Sequence, residues 1–304
     1  MPVRALTQRW VAERLPDRSP RSHKGTFGRV LVVAGSNEYA GAALLAGVGA
    51  ARSGAGLVCL ATPASVGMRL SGLMPELTAL LLEEEAPGLV SPVGWRQLSS
   101  EARGYDAVVV GPGMGRHPSL QRRVRSFLAE VERPVIVDAD ALNALAASRG
   151  WWRQLRRQTV MTPHPGEFAR LRSETGHEGV DPALVEDDGH RAEAASAAAI
   201  RWGQVVVLKG ARTVIADPDG EVVRSDVATP ALATAGSGDV LSGSIGAFLA
   251  AGCQPRDAAG CGVAVHGAAG LLAEDRIGRA GVIARDIAAL LPEAIEQLRG
   301  GRPR

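Results

Sequence analysis

The sequence predicts an α/β fold: a doubly wound, mostly parallel β-sheet with helices on both faces, a β-hairpin and a helical C-terminal portion. Three observations predict it. Short β-branched runs recur along the chain and are apolar on both faces, as the central strands of a parallel sheet must be. Alanine-rich stretches of helical periodicity alternate with them, which implies right-handed crossovers. Beyond residue 236 the strand signal stops and three helical segments follow.

The elements follow in order. Residues 29–34 (RVLVVA) read as a buried strand, and 41–53 as a tightly packed helix with Gly54 as its C-cap. Strands follow at 57–61, 106–110 (DAVVV), 134–138 (PVIVD), 159–162 and 204–209 (QVVVLK). Helices at 120–130, 141–147 and 191–202 fall between them. Residues 212–216 and 221–224 flank Asp217-Pro218-Asp219-Gly220, a turn signal that makes them a hairpin. The closing helices are 237–251, 255–274 and 284–298. We expect an N-terminal extension over 1–23, one domain over 24–298 and a frayed tail over 299–304. The acidic stretch 174–189 reads as a surface loop, with a lid role open.

Composition narrows the function class. With 304 residues and 46% of them hydrophobic, the chain can bury a core without disulfides. Its 34 basic and 32 acidic residues give a net charge of +2, which argues against a nucleic-acid partner. Cys59, Cys253 and Cys261 form no Cys-x-x-Cys pair and read as reduced thiols. The sequence shows neither a signal-peptide h-region nor an apolar run of about 20 residues. The expectation is a cytoplasmic protein without a membrane partner.

The glycine-rich segments carry the chemistry. No Gly-x-Gly-x-x-Gly follows a strand, and no Gly-x-x-x-x-Gly-Lys-Ser/Thr exists, so dinucleotide-type Rossmann and P-loop binding lose support. Instead Ala235-Gly236-Ser237-Gly238-Asp239 opens an apolar helix. Two glycines let several N–H groups converge, and the helix N-terminus adds partial positive charge; together they form a hole for phosphate oxygens. Asp239 reads either as a helix cap or as a base aimed at a hydroxyl that attacks phosphorus.

Other strand ends supply company. Lys209, followed by Gly210, ends a strand where an ammonium can meet phosphate or merely face solvent. Gly111-Pro112-Gly113-Met114-Gly115 permits close ligand approach or makes an ordinary turn. Asp138 and Asp140 could orient Mg²⁺ through water, although capping of the next helix is the better reading for one of them. His164, fixed between Pro163 and Pro165, is a ligand-contact candidate. The remaining histidines show no zinc spacing.

In this order the segments resemble one family. They are Lys24-Gly25-Thr26-Phe27-Gly28-Arg29, Ala34-Gly35-Ser36, Gly41-Ala42-Ala43, Arg52-Ser53-Gly54-Ala55-Gly56-Leu57, the Gly111–Gly115 turn, Asp138-Ala139-Asp140-Ala141-Leu142-Asn143, Thr162-Pro163-His164-Pro165-Gly166-Glu167, Lys209-Gly210 and Gly236-Ser237-Gly238-Asp239. Over residues 24–292 the chain resembles the ADP-dependent NAD(P)H-hydrate dehydratases of the ribokinase-like superfamily. Gly-Ser-Gly-Asp alone is a superfamily-level signal; the Asp138–Asn143 and Thr162–Glu167 segments are far more specific.

The resemblance implies repair of hydrated nicotinamide cofactor, (6S)-NADHX or NADPHX, with ADP (or ATP) as phosphoryl donor and Mg²⁺ as cofactor. It makes Asp239 the base and the backbone of Gly236, Ser237 and Gly238 the oxyanion hole. By similarity Lys209, Gly210, Ala211, Arg212, Thr213 and Gly238 contact the nucleotide. Ala42, Gly113, Gly115, His164 and Asp239 line the dinucleotide side. The resemblance also implies a homo-oligomer, often a tetramer, and no epimerase activity in this chain. Two other readings stand behind it: a kinase of a thiazole or pyrimidine vitamin precursor, and a non-catalytic nucleotide sensor.

Overall fold

The computed structural model describes residues 3–156, 159–173 and 188–300. Most of the acidic surface loop expected over 174–189 lies outside the described residues, as do the last four residues of the tail.

The described residues form twelve strands: β1 (Val3–Ala5), β2 (Arg29–Val33), β3 (Leu57–Pro63), β4 (Thr78–Leu82), β5 (Glu84–Ala86), β6 (Leu89–Val90), β7 (Ala107–Val110), β8 (Val135–Val137), β9 (Thr159–Met161), β10 (Val205–Leu208), β11 (Val214–Ala216) and β12 (Val222–Arg224). Ten of them make one sheet in the order β1-β12-β11-β10-β9-β8-β7-β2-β3-β4, and β5 and β6 form a separate hairpin. From β9 through β4 every pairing is parallel; only the hairpin pairs β10–β11 and β11–β12 run antiparallel in the large sheet. The fold is the mostly parallel α/β sheet that the sequence predicts.

The helices are α1 (Gln8–Ala12), α2 (Ala40–Arg52), α3 (Ala64–Leu70), α4 (Pro92–Glu101), α5 (Pro118–Glu130), α6 (Ala139–Ala146), α7 (Pro165–Ser173), α8 (Asp188–Trp202), α9 (Ser237–Ala250), α10 (Pro255–Ile277) and α11 (Ala284–Leu298). None is long and apolar enough to cross a membrane, among the described residues. Strand pleating sorts the core into two halves. Val30, Val32, Val109, Ile136, Val160 and Val207 face α2, α9, α10 and α11. Leu31, Val33, Val108, Val110, Val137 and Leu208 face α4, α5, α6 and α8. Both faces are covered, which is why the strand runs contain no polar alternation.

Two features go beyond the sequence reading. The residues ahead of 24 contribute an edge strand, β1, paired in parallel with β12 from Val3↔Val222 to Ala5↔Arg224, and α1 rests on α10 and α11. On the other edge, β4 extends the sheet past β3, and β5 and β6 form their own hairpin.

Strand order decides where a ligand can sit. From β2 the chain runs outward through β3 and β4, then returns to β7 on the other side of β2 and continues through β8, β9 and β10. The connections after β2 and β7 therefore leave toward opposite faces and open a crevice between them. Doubly wound sheets bind ligands at such a reversal, beyond the strand C-termini.

Candidate active site

The crevice has a charged floor built from three adjacent strand ends. Asp138 follows β8, Glu167 lies in α7 after β9, and Lys209 follows β10. Lys209 Nζ lies 2.8 Å from Asp138 Oδ1 and 3.9 Å from Glu167 Oε2. Asp138 is only 1% exposed. Burial alone would depress the Lys209 ammonium, but Asp138 and Glu167 more than offset it, so its pKa is raised. Glu167 is pushed up to about 7, by burial first and then against the pull of Lys209.

The Thr162–Glu167 segment folds as a helix start. The His164 N–H donates to Glu167 Oε2 at 2.9 Å, and His164 Nδ1 accepts from the Gly166 N–H at 3.0 Å. The Glu167 N–H also donates to His164 Nδ1 at 3.4 Å, and this reciprocal pair closes a capping box over α7. With Nδ1 accepting, the proton sits on Nε2, 3.4 Å from Glu167 Oε1. Burial, then the charge of Lys209, lowers the His164 pKa, so the ring is neutral at pH 7.

The glycine-rich helix start faces this floor. Gly236 holds the N-cap position of α9 in the left-handed region, φ 85°. A β-carbon there would meet Leu45 Cδ1 at 2.4 Å. Behind it, Ser237 Oγ lies 3.0 Å from Nε2 of buried His266, whose pKa burial pushes down to about 4. A β-carbon on Gly238 would be 3.4 Å from Lys209 Nζ, so this ammonium lies directly beside the backbone of the glycine-rich helix start. Since Gly236 caps the helix, Asp239 is a first-turn residue, and it makes no side-chain hydrogen bond among the described residues. Its carboxyl is pushed up to about 7 by burial, reinforced by Asp138 and opposed by Lys209.

The opposite wall is the Gly111–Gly115 turn after β7. Asp140 Oδ2 accepts the Gly115 N–H at 2.8 Å. Asn143 Nδ2 donates to Asp140 Oδ1 at 3.3 Å, and Arg170 Nε donates to Asn143 Oδ1 at 3.0 Å. Asp140 thus fixes the turn rather than capping its own helix. Ala139, at φ 48°, is one of two non-glycine residues in the left-handed region among the described residues. That strained start of α6 lies on the cleft wall, as functional strain often does.

Between these walls lies a cleft of about 680 Å³, lined by Ala42, Gly113, Gly115, Asp140, Glu167 and Asp239 among others. A second cavity of about 350 Å³ lies at the other end of α2, between Arg18, Gly54 and Arg299. It has none of the converging carboxylates, and the chemistry belongs to the larger cleft.

The predicted residues fall into three places. Ala42, Gly113, Gly115, Asp140 and Asp239 share the cleft wall. Lys209, Asp138 and Gly238 lie beneath or beside Asp239, and His164 stands at the rim, half exposed. Gly210, Ala211, Arg212 and Thr213 form the turn leading away from Lys209 to the hairpin, outside the cleft wall. Buried Arg191 of α8 holds this turn: it donates to the carbonyls of Leu208 and Lys209 at 3.0 Å and of Ala211 at 2.7 Å. Glu167, Asn143, Arg116, Glu38 and Tyr39 also line the cleft and were not assigned from sequence. For Asn143 a signal existed, since it lies one turn after Asp140 on the same helix face. Nothing local marks Tyr39, which is placed only by the β2–β7 reversal.

The donor chemistry of the floor is all oxygen. No three metal-binding side chains converge among the described residues. One or two carboxylates acting with phosphate oxygens and water is the arrangement that suits Mg²⁺; of the two aspartates singled out for it, Asp140 lines the cleft and Asp138 is buried against Lys209.

Comparison with known proteins points to one family. A family model described as NAD(P)H-hydrate dehydratase matches residues 30–293. An ADP-dependent (S)-NAD(P)H-hydrate dehydratase of Xanthomonas campestris pv. campestris is 38% identical, covering 95% of each chain. A bifunctional NAD(P)H-hydrate repair enzyme of Moorella thermoacetica is 40% identical over 97% of this chain but 54% of its own length, so this chain spans about half of that relative. Among solved structures, an ADP/ATP-dependent NAD(P)H-hydrate dehydratase from Bacillus subtilis, co-crystallised with ATP/Mg²⁺, superposes with a TM-score of 0.82 at 34% identity, covering 98% of this chain and 99% of that one.

Proposed function

Because the chain belongs to the NAD(P)H-hydrate dehydratase family, we propose that it restores NADH and NADPH from (6S)-NADHX and NADPHX, using ADP as phosphoryl donor. The observation that carries this reading is Asp239: a carboxyl raised to about 7, placed at a phosphate-binding helix start and facing a cleft of about 680 Å³. A carboxylate there would repel phosphate if it were merely structural, and it is well suited to take a proton near neutral pH.

The balance is as follows. Asp239 accepts the proton of the ring hydroxyl as its oxygen attacks the terminal phosphorus of ADP. AMP leaves, while the N–H groups around Gly236–Gly238 and the Lys209 ammonium stabilise charge on the transferred group. The C–O bond then breaks, phosphate departs with the bonding pair, and loss of the neighbouring ring proton returns the double bond. The products are NADH or NADPH, AMP and phosphate. Mg²⁺ supplies charge neutralisation on the phosphates, and Asp138 or Asp140 would hold it through water. His164 and Gly113–Gly115 contact the dinucleotide, and Lys209–Thr213 the adenine nucleotide. The reading also includes a cytoplasmic location and a homo-oligomer, with a tetramer as the specific expectation.

The test mixes purified protein with NADH hydrate, Mg²⁺ and either ADP or ATP. Growth of the reduced-nicotinamide absorbance only when a nucleotide is present, faster with ADP, is the expected result. Absence of growth with both donors, in a protein that binds ADP, would overturn the proposal.

A further inference from the structure

The cleft has a charge problem that its assigned residues do not solve. Its wall carries four carboxylates, those of Glu38, Asp140, Glu167 and Asp239. The dinucleotide proposed to enter it brings a pyrophosphate with two negative charges. Among the described residues that line the cleft, Arg116 is the only basic one. Lys209 cannot stand in for it, since its ammonium is held 2.8 Å from Asp138 and lies against Gly238 on the side of the phosphate hole. Nor can the Gly115 N–H, which Asp140 already occupies at 2.8 Å.

Arg116 has the reach and freedom that the task requires. It follows the glycine turn after β7, and its side chain is 66% exposed. Its one ion pair is to Asp140 Oδ1, with Nε at 3.4 Å, a long and solvated contact that costs little to exchange. A guanidinium offers two parallel N–H donors to phosphate oxygens. Asp140 behind it keeps the arm oriented toward the cleft.

We propose that Arg116 is the anchor for the pyrophosphate of the dinucleotide substrate, and so a specificity residue that favours dinucleotide over uncharged forms of the hydrated ring. The inference rests on the function proposed above. The alternative is that Arg116 only steadies the glycine turn through Asp140.

The two separate by substitution. Arg116→Gln retains a hydrogen-bond donor for Asp140 and loses the charge, while Arg116→Lys restores the charge. Steady-state rates with NADH hydrate and ADP would be measured beside equilibrium binding of the product NADH, which needs no turnover. For Arg116→Gln we expect the KM for NADH hydrate and the Kd for NADH to rise roughly tenfold. The KM for ADP and kcat should stay within about twofold of wild type, and Arg116→Lys should recover most of the loss. The NADH affinity of Arg116→Gln should also depend less steeply on salt than that of wild type. An unchanged Kd for NADH would overturn the proposal. So would a loss spread over kcat and both KM values without rescue by lysine, the signature of a loosened turn. A wild-type protein that binds NADH but dehydrates nothing would instead contradict the proposed function, and the NADH affinities would still decide the role of Arg116.

Discussion

Lys209 is the residue on which the floor depends. It ties Asp138, which is 1% exposed, to Glu167 and to the backbone beside Asp239. Its folded pKa is raised, so its stabilising contribution is present throughout the range below the unfolded value and is lost only as pH climbs through the folded one. Lys209→Met would leave Asp138 buried without its charge partner. We expect a loss of about 3 kcal/mol in unfolding free energy, measured by urea denaturation at pH 7. The acid limb of activity should also move to higher pH, because Lys209 is a charge that holds the Asp239 carboxyl down. Wild-type stability in that variant would show that Asp138 finds another partner. The sequence marked Lys209 and Asp138 by their place at strand ends. It did not reveal that Lys209 pairs with Asp138, because the two are 71 residues apart and meet only through β9.

Helix α9 is the element that carries the base, and α2 sets its position. The two helices cross at glycine contacts: a β-carbon on Gly243 would lie 1.9 Å from the Ala46 carbonyl oxygen, and one on Gly49 would lie 2.4 Å from that of Val240. Backbone thus rests on backbone, and neither helix can move without moving Asp239 or Ala42. Gly243→Ala should cost about 1–3 kcal/mol by overpacking and lower kcat with it, read from Tm and steady-state rates on one preparation. A variant that lost stability but kept kcat would uncouple this contact from the site.

Elements were legible in proportion to their burial. Strands β2, β7 and β10 are buried on both faces and stand out as β-branched runs. Strand β4 has the exposure pattern of an edge, with Thr78, Ala79 and Leu81 in solvent, and β1 is exposed at all three residues. A strand exposed along most of its length, as β1 and β4 are, buries no face that would mark it against the surrounding loops. Helix α4 was missed although Ser91 caps it through Val93 and Gly94 and Pro92 opens it. Those signals were present in the sequence, but the strands that precede the helix, β4 to β6, were not seen.

At the scale of the molecule, the site is a property of strand order. Tyr39 and Ala42 follow β2, Gly113 to Arg116 follow β7, Asp140 follows β8, Glu167 follows β9, and Asp239 comes from the helical portion. Each segment is recognisable in the sequence, but their convergence follows from the reversal between β2 and β7, which no local pattern encodes. The sheet brings them together so that one carboxylate, Asp239, stands in the first turn of the glycine-capped helix α9 and on the wall of the cleft. Its raised pKa gives the expected pH dependence a sign: with Asp239 as the proposed base, activity should fall below about 7, where the carboxyl is protonated, and rise above it.

The measurement that tests this most directly compares wild type with Asp239→Asn, following turnover of NADH hydrate with pH and binding of ADP in parallel. The account predicts a wild-type acid limb near 7, turnover in the variant lower by roughly a hundredfold to ten-thousandfold, and ADP affinity close to wild type. Turnover near that of wild type in Asp239→Asn, with the same acid limb, would contradict it and move the base to another residue of the cleft.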